Sequence, residues 1–136
     1  MPGRRPQTPS KPTLLGAEPQ LFVSDMRTSL DFYTAKLGFA VAFTYGEPLF
    51  YGQVCRGAAK INLRQLDEAA IDPVRREKDG LLSASVTVDD VARLSAEFAR
   101  ADAPFRQKLR VEPWGARTFV IADPDGNLIL FAGDAE

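Results

Sequence analysis

Histidine is missing from all 136 residues of this chain. That absence removes the commonest acid–base side chain and the commonest metal ligand at once, and it excludes every histidine-based catalytic triad. Cysteine occurs once, as Cys55, so no internal disulfide can form. The sequence therefore suits a reducing compartment, and the expected localisation is cytoplasmic. Cys55 itself reads as a small strand residue for a core. No apolar run approaches the roughly 20 residues that a membrane helix needs, and no apolar stretch marks a secretory signal. A membrane partner is not expected. Acidic residues are absent from the first 17 positions, which hold Arg4, Arg5 and Lys11 among Pro2, Pro6, Pro9 and Pro12. Residues 1–17 read as a disordered, proline-rich basic leader. No basic helix and no interleaving of basic and aromatic residues follows, so nucleic acid is not an expected partner either.

The remainder has the composition of a globular domain, with 45% hydrophobic and 26% charged residues over the whole chain. Three of the 17 basic residues lie in the leader, which leaves 14 against 18 acidic residues, a net charge of −4. A chain of this length buries roughly 65–70% of its unfolded surface and needs no staples.

The pattern along the chain runs twice. Gln20 to Ser24 reads as a strand with Leu21 and Val23 on its buried face. Asp25 can cap a helix whose stripe is Met26, Leu30, Tyr33 and Leu37, and Gly38 supplies a left-handed stop. Phe39 to Tyr45, Leu49 to Cys55 and Ala59 to Arg64 read as strands, separated by Gly46-Glu47-Pro48 and Arg56-Gly57. Residues 65–81 carry the charge run Arg75-Arg76-Glu77-Lys78-Asp79 and read as a solvated connector. Then Leu82 to Val88 reads as a strand, and Asp89 and Asp90 both offer caps. Val91, Leu94, Phe98 and Ala101 form a second helical stripe, ended by Pro104. Phe105 to Val111, Ala116 to Ala122 and Leu128 to Ala132 complete the set. Val23-Ser24-Asp25-Met26 and Val88-Asp89-Asp90-Val91 stand 65 residues apart, and Tyr33 falls in step with Phe98. The expected organisation is a leader at 1–17, a βαβββ module at 18–64, a connector at 65–81 and a second βαβββ module at 82–136. One helix cannot cover both faces of a curved sheet, so each module keeps an open face.

Strand alternation says which side chains that open face would carry. Glu18, Gln20 and Phe22 stand opposite Leu21 and Val23. Lys60, Asn62 and Arg64 stand opposite Ile61 and Leu63. Ser83, Ser85 and Thr87 stand opposite Leu82, Ala84, Val86 and Val88. A cleft that is polar on three strands with aromatic rings nearby suits a small organic ligand. Asp123, Asp125 and Asn127 imitate the start of a calcium loop. Leu128 stands where that loop needs glycine, and Asp134 where it needs glutamate. The run reads instead as a hairpin turn, with Asp125-Gly126 at its tip.

These residues resemble the vicinal oxygen chelate superfamily, which includes glyoxalase I, extradiol dioxygenases, and the fosfomycin- and bleomycin-resistance proteins. The resemblance rests on Val23-Ser24-Asp25, on Asp31-Phe32-Tyr33 with Lys36-Leu37-Gly38-Phe39, on Val88-Asp89-Asp90 and on Asp123-Pro124-Asp125-Gly126-Asn127, and it covers roughly residues 18–132. It implies an α+β fold of two tandem βαβββ modules whose curved mixed sheet encloses a cleft. Metal-using members take ligands at positions that fall here on Glu18, Asn62, Ser83 and Leu130. Only Glu18 could ligate strongly, so no metal and no other cofactor is expected.

Pro113-Trp114-Gly115 before the Asp-Pro-x-Gly-Asn hairpin is similar to the bleomycin-resistance proteins, as is the aromatic Phe43 after Leu37-Gly38-Phe39. That similarity implies a homodimer with ligand grooves at its interface. It also implies no catalysis, with aromatic parts of the ligand stacked on Trp114 and Phe43. The ligand-binding set expected on these grounds is Trp114, Phe43, Asn62, Ser83, Ser85, Gln20 and Arg64, with a small aromatic compound or bleomycin-type antibiotic as ligand. The modest negative charge, with Lys60 and Arg64 near the cleft, makes an anionic or neutral aromatic ligand credible. Two other readings are an enzyme of lyase or isomerase type acting on a small carbonyl or thioester substrate, with Glu18 as general base, and an interaction module whose cleft receives a partner chain.

Overall fold

The computed structural model describes residues 11–134. Residues 11–17 carry no helix or strand, and the rest of the expected leader lies outside the described residues. The element order is β1 (Gln20–Val23), α1 (Met26–Ala35), β2 (Ala40–Tyr45), β3 (Tyr51–Arg56), β4 (Ala59–Gln65), α2 (Pro73–Asp79), β5 (Leu82–Thr87), α3 (Val91–Arg100), β6 (Phe105–Val111), β7 (Arg117–Ala122) and β8 (Leu128–Gly133). The strands form two four-stranded mixed sheets, ordered β1-β4-β3-β2 and β5-β8-β7-β6. In each sheet the first strand pairs in parallel with the last, and every other neighbour is antiparallel. The fold is α+β, as the repeated pattern requires.

Each module's helix starts on an aspartate. Asp25 accepts from the Arg27 N–H at 3.1 Å, and Asp90, rather than Asp89, accepts from the Arg93 N–H at 3.1 Å. Gly38 ends the first helical segment at φ 72°. The second ends in an analogous way at Asp102, with φ 58°, two residues before the proline expected to stop it. Aspartate tolerates that left-handed backbone better than most residues.

One core runs through both modules. Leu21, Met26, Tyr33, Leu37, Ile61 and Leu63 belong to the same buried cluster as Phe98, Phe119, Ile129 and Phe131. Phe98 meets Phe119 edge-on at 5.8 Å and Phe131 at 5.3 Å, while Phe119 and Phe131 stack at 5.1 Å. Such ring pairs add roughly 0.5–1.5 kcal/mol beyond their buried area. Across the module boundary, Arg56 grips Glu97 with both terminal nitrogens, at 2.7 and 2.9 Å, and also donates to the Leu37 carbonyl at 2.9 Å. Gly38 lies against this arginine, and a Cβ built there would stand 2.8 Å from Arg56 Nη1. Gly38→Ala is therefore expected to cost about 1–2 kcal/mol by denaturant melting, from the left-handed backbone and the displaced guanidinium together.

The connector differs from its expectation. Residues 65–81 contain α2, capped by Asp72 with Pro73 in its first turn and closed by Gly80 at φ 61°. Arg76, expected to be solvated, is only 6% exposed. It donates to the Asp125 carbonyl at 3.3 Å, which ties α2 to the β7–β8 hairpin.

That hairpin is a cross-module latch as well as a turn. Asp123 accepts four hydrogen bonds. Tyr33 Oη and Asn127 Nδ2 reach Oδ2, each at 2.9 Å, while the Asp125 and Asn127 N–H groups reach Oδ1 at 2.9 and 2.8 Å. Asn127 also donates to the Phe22 carbonyl at 3.0 Å, and Asp125 accepts from the Ser24 N–H at 3.0 Å. The tip of the second module is thus sewn to β1 and α1 of the first.

Candidate functional site

Two open faces result, one per module. On the first sheet the register aligns Gln20, Asn62, Gln53 and Phe43 across four strands, and beside them Phe22, Arg64, Tyr51 and Tyr45. The opposite face carries Leu21, Val23, Val54, Ile61 and Leu63, all buried. Glu18, Gln20, Asn62 and Arg64 therefore lie on the side that alternation assigned them. Gln53 links them, donating to Asn62 Oδ1 at 2.8 Å and to Glu18 Oε1 at 3.1 Å, while Asn62 Nδ2 reaches Glu18 Oε1 at 3.3 Å. Tyr51 donates to Gln20 Oε1 at 3.0 Å and stacks on Phe43 with ring centres 6.2 Å apart. The strand carrying Phe43 is exposed along its whole length, with Val41, Phe43 and Tyr45 all open. Tyr51 and Gln53 were legible as the residues alternating with Gly52 and Val54, although neither was singled out.

The second sheet holds a hollow of about 310 Å³, lined entirely by residues between Gly80 and Leu130. Its floor is Val120, Leu128 and Leu130, its walls include Leu82 and Trp114, and Arg106 and Arg110 stand at its rim. Trp114 sits on the turn between β6 and β7, where the Gly115 N–H donates to the Glu112 carbonyl at 2.9 Å. The residue is 74% exposed. Beneath it Glu112 is buried and accepts from the Thr118 hydroxyl at 2.6 Å and from Arg110 Nε at 3.0 Å. Those two bonds, Thr118 first, hold the Glu112 carboxyl below the usual carboxylate range.

One expected face assignment is corrected here. β5 is irregular between Leu82 and Ala84: Leu82 pairs with Leu128 and Ala84 with Ile129. A bulge of this kind puts two residues where one would stand, so alternation fails across it. Leu82 turns to the open face and lines the hollow, while the Ser83 hydroxyl is engaged by Asn127 Oδ1 at 3.2 Å. Beyond the bulge alternation holds, with Ser85 exposed opposite Leu130.

Of the expected ligand-binding set, Phe43, Gln20, Asn62 and Arg64 share the first face. Trp114 belongs to the hollow on the second, and Ser85 lies beside it on the same sheet. The chain does not bring Trp114 and Phe43 together: the hollow takes no residue from the first module. The four positions at which metal-using relatives would coordinate an ion do not fit one. Glu18 and Asn62 adjoin each other, the Ser83 hydroxyl serves Asn127, and Leu130 carries no donor. Among the described residues no group of three or more His, Cys, Asp or Glu could hold a metal. No helix there is long and apolar enough to cross a membrane.

Known proteins bear this architecture out. Residues 17–131 match the family model of the glyoxalase/bleomycin resistance protein/dioxygenase superfamily. No curated protein matches the chain in sequence. Among solved structures, the bleomycin-binding protein of bleomycin-producing Streptomyces verticillus, complexed with copper(II)-bleomycin, superposes with a TM-score of 0.70 at 23% identity, over 89% of this chain and 97% of that one. TioX from Micromonospora sp. ML1 gives 0.69 at 20% identity, over 86% and 96%. A glyoxalase-related enzyme from Clostridium phytofermentans gives 0.70 at 15% identity, over 90% and 96%. Identities this low establish the shared fold. The family match extends over most of the chain, which therefore belongs to the glyoxalase/bleomycin resistance protein/dioxygenase superfamily.

Proposed function

We propose that this protein is a metal-free binding protein that sequesters a small aromatic compound, with bleomycin-type antibiotics within the class to be tested. We further propose that the ligand lies in a cleft completed between two copies of the chain. The observation that carries the reading is Trp114, a large aromatic residue 74% exposed at the mouth of a leucine-floored hollow of about 310 Å³. Hollows of this size, mostly apolar with a few placed polar groups, suit small organic ligands. The second half of the cleft is the first module's open face, where the exposed Phe43 stacks on a half-buried Tyr51 beside the Glu18, Gln53 and Asn62 cluster. Within one chain the hollow under Trp114 takes no wall from the first module's face, so a second copy is the natural source of the missing wall. The superfamily match and a bleomycin-binding neighbour agree with a binding role.

Trp114 is the only tryptophan of the chain, so its fluorescence reports directly on the hollow. Ligands from a panel of planar aromatics and bleomycin are expected to quench it. Trp114→Ala is expected to weaken binding by roughly 1–3 kcal/mol, about 5- to 150-fold by calorimetry. The free energy of unfolding should change by less than about 0.5 kcal/mol, because Trp114 is mostly exposed. A panel that leaves the fluorescence untouched, or an affinity indifferent to the substitution, would sink the proposal.

A further inference from the structure

The hollow under Trp114 has a chemical polarity of its own, and the inference drawn from it rests on reading that hollow as the ligand site. Its floor is leucine and valine, so nothing there selects for charge. Charge enters at one side, through Arg110. That side chain is 59% exposed, yet its orientation is fixed from below. Nε donates to Glu112 Oε2 at 3.0 Å, and the same oxygen accepts from the Thr118 hydroxyl at 2.6 Å. The carboxylate is in turn held by its own backbone, since the Glu112 N–H donates to the Ala116 carbonyl at 2.7 Å. Glu112 is only 8% exposed. Glu112 also lines the hollow, but its carboxylate is nearly covered and taken up by Thr118 and Arg110, so the exposed charge on that side is the guanidinium.

A guanidinium is planar, and its five N–H groups form a fork. With Nε committed to Glu112, the two terminal nitrogens of Arg110 make no hydrogen bond or ion pair among the described residues. They form a free pair of parallel donors beside the Trp114 ring, the geometry that takes a carboxylate with two bonds at once. The other rim arginine is spent differently. Arg106 Nε meets Glu77 Oε2 at 2.6 Å and Nη2 meets the Glu77 carbonyl at 3.0 Å, so that side chain is anchored to α2.

We propose that the hollow selects a planar aromatic ligand bearing a carboxylate, with the ring on Trp114 and the leucine floor and the carboxylate on Arg110. Glu112 and Thr118 act as positioning residues for that arginine. A ligand with a cationic tail meets the free end of a guanidinium at the wall of the hollow and is disfavoured.

Three probes with one ring system separate the possibilities: 2-naphthoate, 2-naphthalenemethanol and 2-naphthylmethylammonium, titrated calorimetrically into the whole protein at low salt. The naphthoate is expected to bind at least about tenfold more tightly than the alcohol, and the ammonium more weakly than both. Arg110→Gln should bring the naphthoate down to the alcohol's affinity while leaving the alcohol unchanged, and Arg110→Lys should restore only part of the preference. Glu112→Gln should reduce the naphthoate-to-alcohol ratio without altering the alcohol, which a merely structural role would not do. Arg110 is mostly exposed, so its variants fold and the test stands even if Glu112→Gln does not. Equal affinities for naphthoate and alcohol, an ammonium that binds best, or a preference that survives Arg110→Gln would each overturn the inference while leaving an aromatic site in place. Failure of all three probes to bind would remove the site itself.

Discussion

Asp123→Ala is expected to destabilise the protein by about 3–5 kcal/mol, lowering the melting temperature by roughly 10–20 °C. The carboxylate accepts four hydrogen bonds, two on each oxygen, and is buried. Alanine leaves the Tyr33 hydroxyl, fully buried, with no acceptor, and strips the Asn127 N–H and side-chain amide of theirs. A buried donor left unpaired costs roughly 1–3 kcal/mol each, less what relaxation recovers. Tyr33→Phe removes a single donor and is expected to cost about 1.5–3 kcal/mol. The contrast between the two variants measures how much of the latch belongs to the hairpin itself and how much to the bond between modules.

The same carboxylate gives the protein a pH signature. Burial pushes Asp123 above the usual carboxylate range, against the hydrogen bonds from Asn127 and Tyr33 that pull it down. Burial, followed by the charge of Asp123, holds the Tyr33 phenol far above its ordinary value, so it stays a donor. An acid whose folded pKa is raised binds its proton more tightly in the folded state than in the unfolded chain. Its stabilising contribution is complete below the unfolded value, about 3.9, and is lost as pH rises through the raised folded value. The stability gap between the wild-type protein and Asp123→Asn should therefore widen as pH falls from neutral towards 4. Denaturant melts at several pH values across that window measure the gap. A gap that narrows instead would mean that the hydrogen bonds outweigh burial.

Much of this was legible in the residues. Tyr33 and Phe98, in step along the chain, both sit fully buried, and the paired aspartate caps open both helices. The alternation of β1 and β4 placed Gln20, Asn62 and Arg64 correctly because those strands pair without interruption, and Glu18, just ahead of β1, joins them through Gln53 and Asn62. Ser83 was misplaced because a bulge is set by backbone geometry and leaves no mark in the hydrophobic pattern. α2 was missed for a related reason. Its seven residues bury only Arg76, so no apolar stripe betrayed it, although Asp72-Pro73 and Gly80 are helix start and stop signals. The Asp123 latch was half legible: the hairpin was plain, but its burial depends on α1 and β1, 90 to 105 residues away in sequence. Arg110 and Glu112 share a face by plain alternation, two residues apart, but nothing in the pattern marks the carboxylate as buried against Thr118.

Mixing two binding-deficient variants is expected to restore binding, and this all-or-none result tests whether the cleft is shared between copies. Phe43→Ala with Tyr51→Ala disables the first module's face, while Trp114→Ala disables the hollow of the second. If each cleft joins the first face of one copy to the hollow of another, both variants alone lack every intact cleft. In a dimer containing one copy of each, one cleft collects both damaged halves and the other collects both intact halves. Random exchange makes half of the dimers mixed, so about one-quarter of all clefts should bind with wild-type affinity. Exchange is achieved by mild denaturation and refolding of the mixture, and calorimetry then gives the fraction of sites directly. A cleft built within one chain predicts no recovery at all, because every chain in the mixture carries one damaged half. The geometry favours recovery: the hollow around Trp114 draws all its lining from the second module, and the exposed Phe43 and half-buried Tyr51 rings lie on the other sheet. The leucine-floored hollow and the Phe43 ring both leave apolar surface open to water, which a second copy would cover.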